Sequence, residues 1–274
     1  MLIKPDVFPG YMRTGHEALH VPDYLHAVLD QVEQTTGYSV QLREQPALHH
    51  DSETRFFREG MTSHEVRHRP AYSDYALHFL LNGAWKILRF WQMPPEERLV
   101  PVTEVGRQLP DDLHRELADK LADRPQELVT QISRFLYQGI VTQLISMPGD
   151  IRVEQELARE FPKHRGEQDT YLRRQIKDLE AHFTPEISQF APARLYAASS
   201  AMHLVLTQEA SAIVGVEPPG YVRASPHLPL ACALRRHLSA VEESGYRGDR
   251  IVTERWAEEL GMERWFEWVK LWPS

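Results

Sequence analysis

The stretch after Pro70, YSDYALHFLLNGAWKILRFW (72–91), is the part of this sequence that most limits what the chain can fold into. Its apolar residues keep helical spacing for about five turns and leave almost no polar side. A helix of that kind needs cover on every face. The spacing therefore predicts a buried central helix from Asp74 to Phe90, with the rest of the chain arranged to enclose it.

What precedes it alternates helix and strand. PDYLHAVLDQVEQTTG (22–37) puts Tyr24, Leu25, Val28, Leu29 and Val32 on one stripe and ends at Gly37. YSVQLRE (38–44) alternates with the period of a half-buried strand. RFFRE (55–59) and TSHEVRHR (62–69) are two further strands, with a turn at Gly60. From Pro94 onward strand signals nearly vanish. Segments 110–122, 125–146, 149–161, 167–183, 191–215 and 229–244 all have helical spacing, and Pro or Gly separates nearly every pair, with Pro148-Gly149 expected to end one helix and open the next. The expected fold is α+β: a small N-terminal helix and β-sheet layer with a central buried helix, then a predominantly helical C-terminal portion. PPEER (94–98) marks the boundary between residues 1–93 and 94–274, the second portion packing on the first as one compact unit.

Composition excludes several functions. A net charge of −8 argues against general nucleic-acid binding, which needs basic surface to displace counterions. The single cysteine, Cys232, rules out an internal disulfide and a Cys-rich zinc module, and its place in LPLACAL suggests a packed core thiol. No apolar run has the length of a signal peptide or a membrane span, so a cytoplasmic protein is expected. The common phosphate-cradling glycine loops are absent.

Two segments carry the pattern H-E-x-x-H: HEALH (16–20) and HEVRH (64–68). On a helix, histidines at i and i+4 can hold zinc while the glutamate polarises a metal-bound water. His16 and His20 are thus candidate ligands and Glu17 the candidate general base of a zinc-dependent hydrolase. Pro22, however, removes a helical hydrogen bond to Ala18 and clashes with that carbonyl, so the helix must break at the motif. HEVRH reads as a strand. There His64 and His68 share a face but stand about 13 Å apart, too far for one zinc, and Arg67 would bring positive charge towards the metal.

The central helix holds a quieter candidate. His78 and Asn82 lie at i and i+4, and PGDIRVEQEL later offers Asp150 and Glu154 on one helical face. Over residues 22–160 the order of helix, strands, central helix and later carboxylate helix resembles zincin-type metallopeptidases with a degenerate active-site helix. The resemblance implies His78 as a metal ligand and Asp150 or Glu154 as a third. Phe79 would stand in the place of the catalytic glutamate and Asn82 in that of the second histidine, which removes the general base and one strong ligand. Ser63-His64, the run Ser199 to His203, and Cys232 with His237 lack the setting of an activated nucleophile.

At the C-terminus, ERWAEELGMERWFEWVKLWPS reads as two short helices joined at Gly261, with Trp265, Trp268 and Trp272 in a stripe. Such a stripe either docks on the protein's own core or captures a partner. The functional expectation is a non-catalytic protein that binds a macromolecular partner, with no cofactor and no membrane. A zinc-dependent peptidase or hydrolase using an H-E-x-x-H pair is the alternative, and a small-molecule sensor the second alternative.

Overall fold

The central helix is present as α2 (Ala76–Trp91) and is enclosed as its composition demands. The computed structural model describes residues 21–48, 50–104, 106–183, 185–242 and 244–271, and the fold is α+β with the sheet near the N-terminus. Leu81, Ala84, Ile87 and Phe90 of α2 are fully buried. On one side lies α1 (Asp23–Thr36), which turns Leu25, Val28, Leu29 and Val32 inward and stops at Gly37 in the left-handed conformation (φ 77°). A glycine suits that position because it lacks the Cβ that opposes positive φ. On another side lies a three-stranded sheet of β1 (Val40–Glu44), β2 (Ser52–Arg55) and β3 (His64–His68). β3 is central, parallel to β1 and antiparallel to β2.

Gly83 lets α2 approach that sheet. A Cβ there would overlap Val66 Cγ2 and meet Thr54 Oγ1 at 3.0 Å. The expected strand at 55–59 is displaced: the ladder covers Ser52–Arg55, and the two phenylalanines after it leave the sheet to pack elsewhere. Phe56 stacks on Phe90 with centroids 4.6 Å apart, and Phe57 on Tyr38 at 3.5 Å. Aromatic stacking outweighs two more rungs on an edge strand.

By its packing the chain divides into two units, and the division falls inside two helices. The first holds the described residues up to Arg98 together with Gln155–Tyr171; the second holds Leu99–Glu154 and the described residues from Leu172 on. In the first, Glu156 accepts a hydrogen bond from Trp85 Nε1 at 2.7 Å and pairs with Arg89 at 3.1 Å, so the buried cation on α2 is neutralised by a residue far along the chain.

The second unit is built of α3 (Asp111–Lys120), most of α4 (Gln126–Glu160), the end of α5 (Arg165–Leu179), α6 (Pro185–Phe190), α7 (Ala193–Val214), α8 (Gly220–Ala224), α9 (Leu228–Ser239) and α10 (Gly245–Leu260). Its core gathers α4, α7, α9 and α10 around Leu144, Met202, Leu234 and Trp256. The break expected at Pro148-Gly149 does not occur. Ile140, Leu144, Met147 and Ile151 form one buried stripe that passes through the proline, and burying it offsets the ~3 kcal/mol a helical proline costs. Cys232 is exposed, because α9 turns Ala231, Leu234 and Leu238 inward instead.

Among the described residues the tryptophan-rich end is not helical beyond α10. Gly261 (φ 63°) stops that helix, and β5 (Glu267–Lys270) pairs antiparallel with β4 (Leu99–Val102), from Leu99 opposite Lys270 to Val102 opposite Glu267. Among the described residues no helix is long and apolar enough to cross a membrane.

Replacing Gly83 by Ala tests the contact with the sheet. Helix propensity alone favours alanine by about 1 kcal/mol. The overlap with branched, buried Val66 reverses the sign, and a net loss of about 1–3 kcal/mol is expected in chemical denaturation. Adding Val66→Ala should recover part of it; a stabilised Gly83→Ala protein would refute the close approach.

Candidate functional site

HEVRH lies in β3 as extended chain, and its polar atoms are engaged in structure except His68 Nε2, which is buried with no hydrogen-bond partner among the described residues. The Phe57 backbone N–H donates to His64 Nδ1 at 2.9 Å, which places the ring proton on Nε2, 3.1 Å from Thr36 Oγ1 as acceptor. Thr36 in turn donates to the Tyr38 carbonyl at 3.0 Å. His64 thus ties the end of α1 to the β2–β3 connection and β3, and burial pushes its pKa down to about 4. Glu65 is held by Arg67 and by Arg43 at 3.3 Å, so it is no free base. His68 donates through Nδ1 to the Arg69 carbonyl at 3.1 Å. His16, Glu17 and His20 lie outside the described residues.

His78 is fully buried, and its neighbour is another histidine. His78 Nδ1 lies 3.0 Å from His164 Nε2, the rings parallel within 5°. The opposite edge of His164 faces two groups: its Nδ1 is 3.0 Å from the Tyr24 hydroxyl and 3.2 Å from Glu167 Oε2. Burial, and then the negative charge of Glu167, raise the Tyr24 hydroxyl to about 12, so it stays protonated and can donate to Nδ1. His164 then carries its proton on Nε2 and donates it to His78 Nδ1. With the other tautomer of each ring, His78 Nδ1 donates to His164 Nε2 and His164 Nδ1 donates to Glu167. The cluster is a hydrogen-bonded relay from half-exposed Glu167 to buried His78.

The relay is not a metal site. His78 and Glu167 meet opposite edges of one imidazole ring, so a single ion cannot touch all three. Tyr24, His164 and Glu167 escaped the sequence reading because the partners sit 86 and 140 residues from His164. The signal that could have found them is H-x-x-E at 164–167, where α5 begins after Pro162.

Asn82 is buried on α2 in the first unit, while Asp150 and Glu154 belong to the second. There Glu154 and Glu209 line a small surface cleft with Ile151, Leu206 and Ile213, and Glu209 pairs with Arg235 at 2.5 Å. Among the described residues no group of three or more His, Cys, Asp or Glu side chains could hold a metal ion.

The aromatic end is committed to its own core. Trp265 is buried, stacks on Tyr137 at 5.3 Å, and accepts the Tyr137 hydroxyl on its carbonyl. Trp268 is half-buried in β5, with the Arg250 guanidinium 5.1 Å from its ring. Trp272 lies outside the described residues. Among the described residues the large exposed apolar side chains are Phe135 (67 %) and Leu128 (39 %) on α4, Phe190 (57 %) on α6 and Val102 (39 %) on β4, and on α4 half-buried Ile132, packed against the core, lies between the first two. Leu128, Ile132 and Phe135 follow one another at four and three residues, so they form one seam.

His64 makes stability depend on pH in a calculable direction. Its folded-state pKa is lowered, so below pH 6.5 the unfolded chain takes up a proton that the folded chain refuses until about pH 4. Stability is complete above 6.5 and falls as the pH drops through that window, by roughly 2–3 kcal/mol from this residue. His203, lowered to about 3 by burial and by the charge of His182, adds a loss in the second unit. In denaturant melts between pH 8 and 4, His64→Gln should be less stable than the parent at pH 8 yet flatter across the window. Parallel curves for the two proteins would show that His64 is not held neutral.

Comparison with family models, curated proteins and solved structures gives no match to this chain.

Proposed function

We propose that this protein acts by binding another protein through the exposed face of α4 around Phe135, without hydrolytic chemistry of its own. The reading rests on Phe135. A phenylalanine ring left in water on a long helix forgoes about 1.5–3 kcal/mol that burial would return. Aromatic anchors at the middle of a patch, ringed by polar residues, are the usual centres of protein interfaces. Here Glu127, Gln131, Arg134 and Gln138, all exposed, border Phe135 on one side. The partner-binding face expected at Trp265, Trp268 and Trp272 is thereby moved to α4, since Trp265 is buried in its own core.

A photo-activated cross-linker in place of Gln138 tests the reading in the producing cells. A discrete adduct with another polypeptide is expected, and Phe135→Asp should abolish it while leaving the thermal midpoint within a degree or two, because the ring is exposed. Absence of an adduct, or one indifferent to Phe135→Asp, would refute the α4 face. The chemistry is tested separately. Protein made without a histidine tag should hold far less than one zinc per chain; stoichiometric zinc lost on His16→Ala, with a hydrolytic activity silenced by Glu17→Gln, would restore the enzyme reading.

A further inference from the structure

We infer that His203 and His182, in the second unit, are the protein ligands of a divalent copper ion whose remaining positions are filled by water; the inference is independent of the α4 reading above. It starts from a buried side chain with nothing to answer it. His203 lies in the middle of α7 and is 4 % exposed. The other buried histidines among the described residues, His64, His68, His78 and His164, each engage at least one ring nitrogen in a hydrogen bond. Among the described residues His203 engages neither. Buried polar groups are nearly always paired, and a leucine would fill the same place without leaving two nitrogens unanswered. What lies against the His203 ring is a second imidazole, that of His182, exposed on the turn Glu180–Phe183.

The two rings are spaced as adjacent ligands of one ion. Their centres are 4.4 Å apart, with the planes at 54°. Two imidazoles bound at a right angle, at about 2.0 Å from metal to nitrogen, put their ring centres roughly 4.4 Å apart. A tetrahedral angle would put them roughly 5.1 Å apart. Right-angled nitrogen ligands select copper(II) or nickel(II) over tetrahedral zinc, and copper stands highest in affinity among the divalent ions. The pair supplies two ligands, fewer than the three or more of an all-protein site, which is why water must complete the shell. Protons compete little for the buried ring. Burial, and then the charge of His182, hold His203 neutral down to about pH 3, so its lone pair stays available. Phe183 helps to fix the turn in place: its ring centre is 6.5 Å from that of His203 and 4.9 Å from that of Tyr221 on α8. Ligands held in position before the metal arrives bind it more tightly. Glu180, in the same turn as His182, brings a negative charge towards the dication.

Titration of the whole chain with Cu²⁺ decides this, in a glycine buffer that strips loosely held ions. One copper per chain is expected to resist the glycine, with two coupled nitrogens in its electron paramagnetic resonance spectrum. His182→Ala, on an exposed turn, should weaken that copper about tenfold or more and remove one coupled nitrogen. His203→Leu should do the same without lowering the thermal midpoint, because no hydrogen bond is lost. His50→Ala, at an exposed histidine elsewhere, should change neither reading. Zn²⁺ should displace the copper only at about a hundredfold excess or more. Copper held equally by both variants overturns the inference, as does a spectrum with fewer than two coupled nitrogens, or zinc bound as tightly as copper. A copper lost with His16→Ala instead marks a different site and also overturns it. Should His203→Leu fail to fold, His182→Ala decides alone.

Discussion

The burial of α2 on every side is the constraint from which the first unit follows. The helix carries His78, Asn82 and Arg89 inward along with its apolar residues, so it must be covered and its polar groups must be answered. An ionised or hydrogen-bonding group without a partner in such a place costs several kcal/mol. Local sequence supplies the cover, through α1 and the sheet. It does not supply all the partners. Glu156 answers Arg89 and Trp85, and His164 answers His78. That is why Gln155–Tyr171 belongs with the N-terminal residues although it stands more than fifty residues after Arg98.

The same fact marks how much of the fold could be read from sequence. Elements whose signal is local were legible. The stripe of α1 with its glycine stop, the alternation in β1 and β3, the all-round apolarity of α2 and the proline-punctuated helices of the second unit all follow from neighbours in sequence. The cut after Arg98 falls at PPEER, but the place of Gln155–Tyr171 in the first unit was not legible, because it depends on polar partners distant in the chain. Nor was β2, whose residues SETR carry no apolar alternation and pair only because β3 is already placed. β4 and β5 are short strands that stabilise each other across the length of the second unit. Without its partner, EWVK reads as the next turn of a tryptophan-rich helix. Pro148 shows the converse error: a strong local rule yielded to a buried stripe that continues on both sides of it.

The H-E-x-x-H question separates residue type from residue geometry. HEVRH contains every atom a zinc site needs, yet in β3 those atoms face three different tasks. His64 closes a chain of hydrogen bonds from Phe57 to Thr36, Glu65 binds two arginines, and His68 donates to a carbonyl. The relay at His164 makes the same point from the other side. It has no recognisable motif, but it brings a tyrosine, two histidines and a glutamate into hydrogen-bonding contact. Of the site residues named from sequence, His78 is the one that lies in such a cluster. What placed it there was its burial on α2, which forced it to find a partner.

His64, Glu65, His78 and His164 in the first unit are therefore spent on holding it together, and this bears on where function can lie. A histidine whose two nitrogens are both engaged, or a glutamate held by two cations, is a poor candidate for chemistry, since freeing it means breaking contacts that nothing else replaces. Surface that is free costs nothing to use. On α4 the inner side is fixed by Val129, Tyr137, Ile140 and Leu144, so the outer side is held rigid without contributing to the core itself. A rigid, pre-formed face loses little conformational entropy on binding, which lets a small apolar seam hold a partner where a flexible one would not.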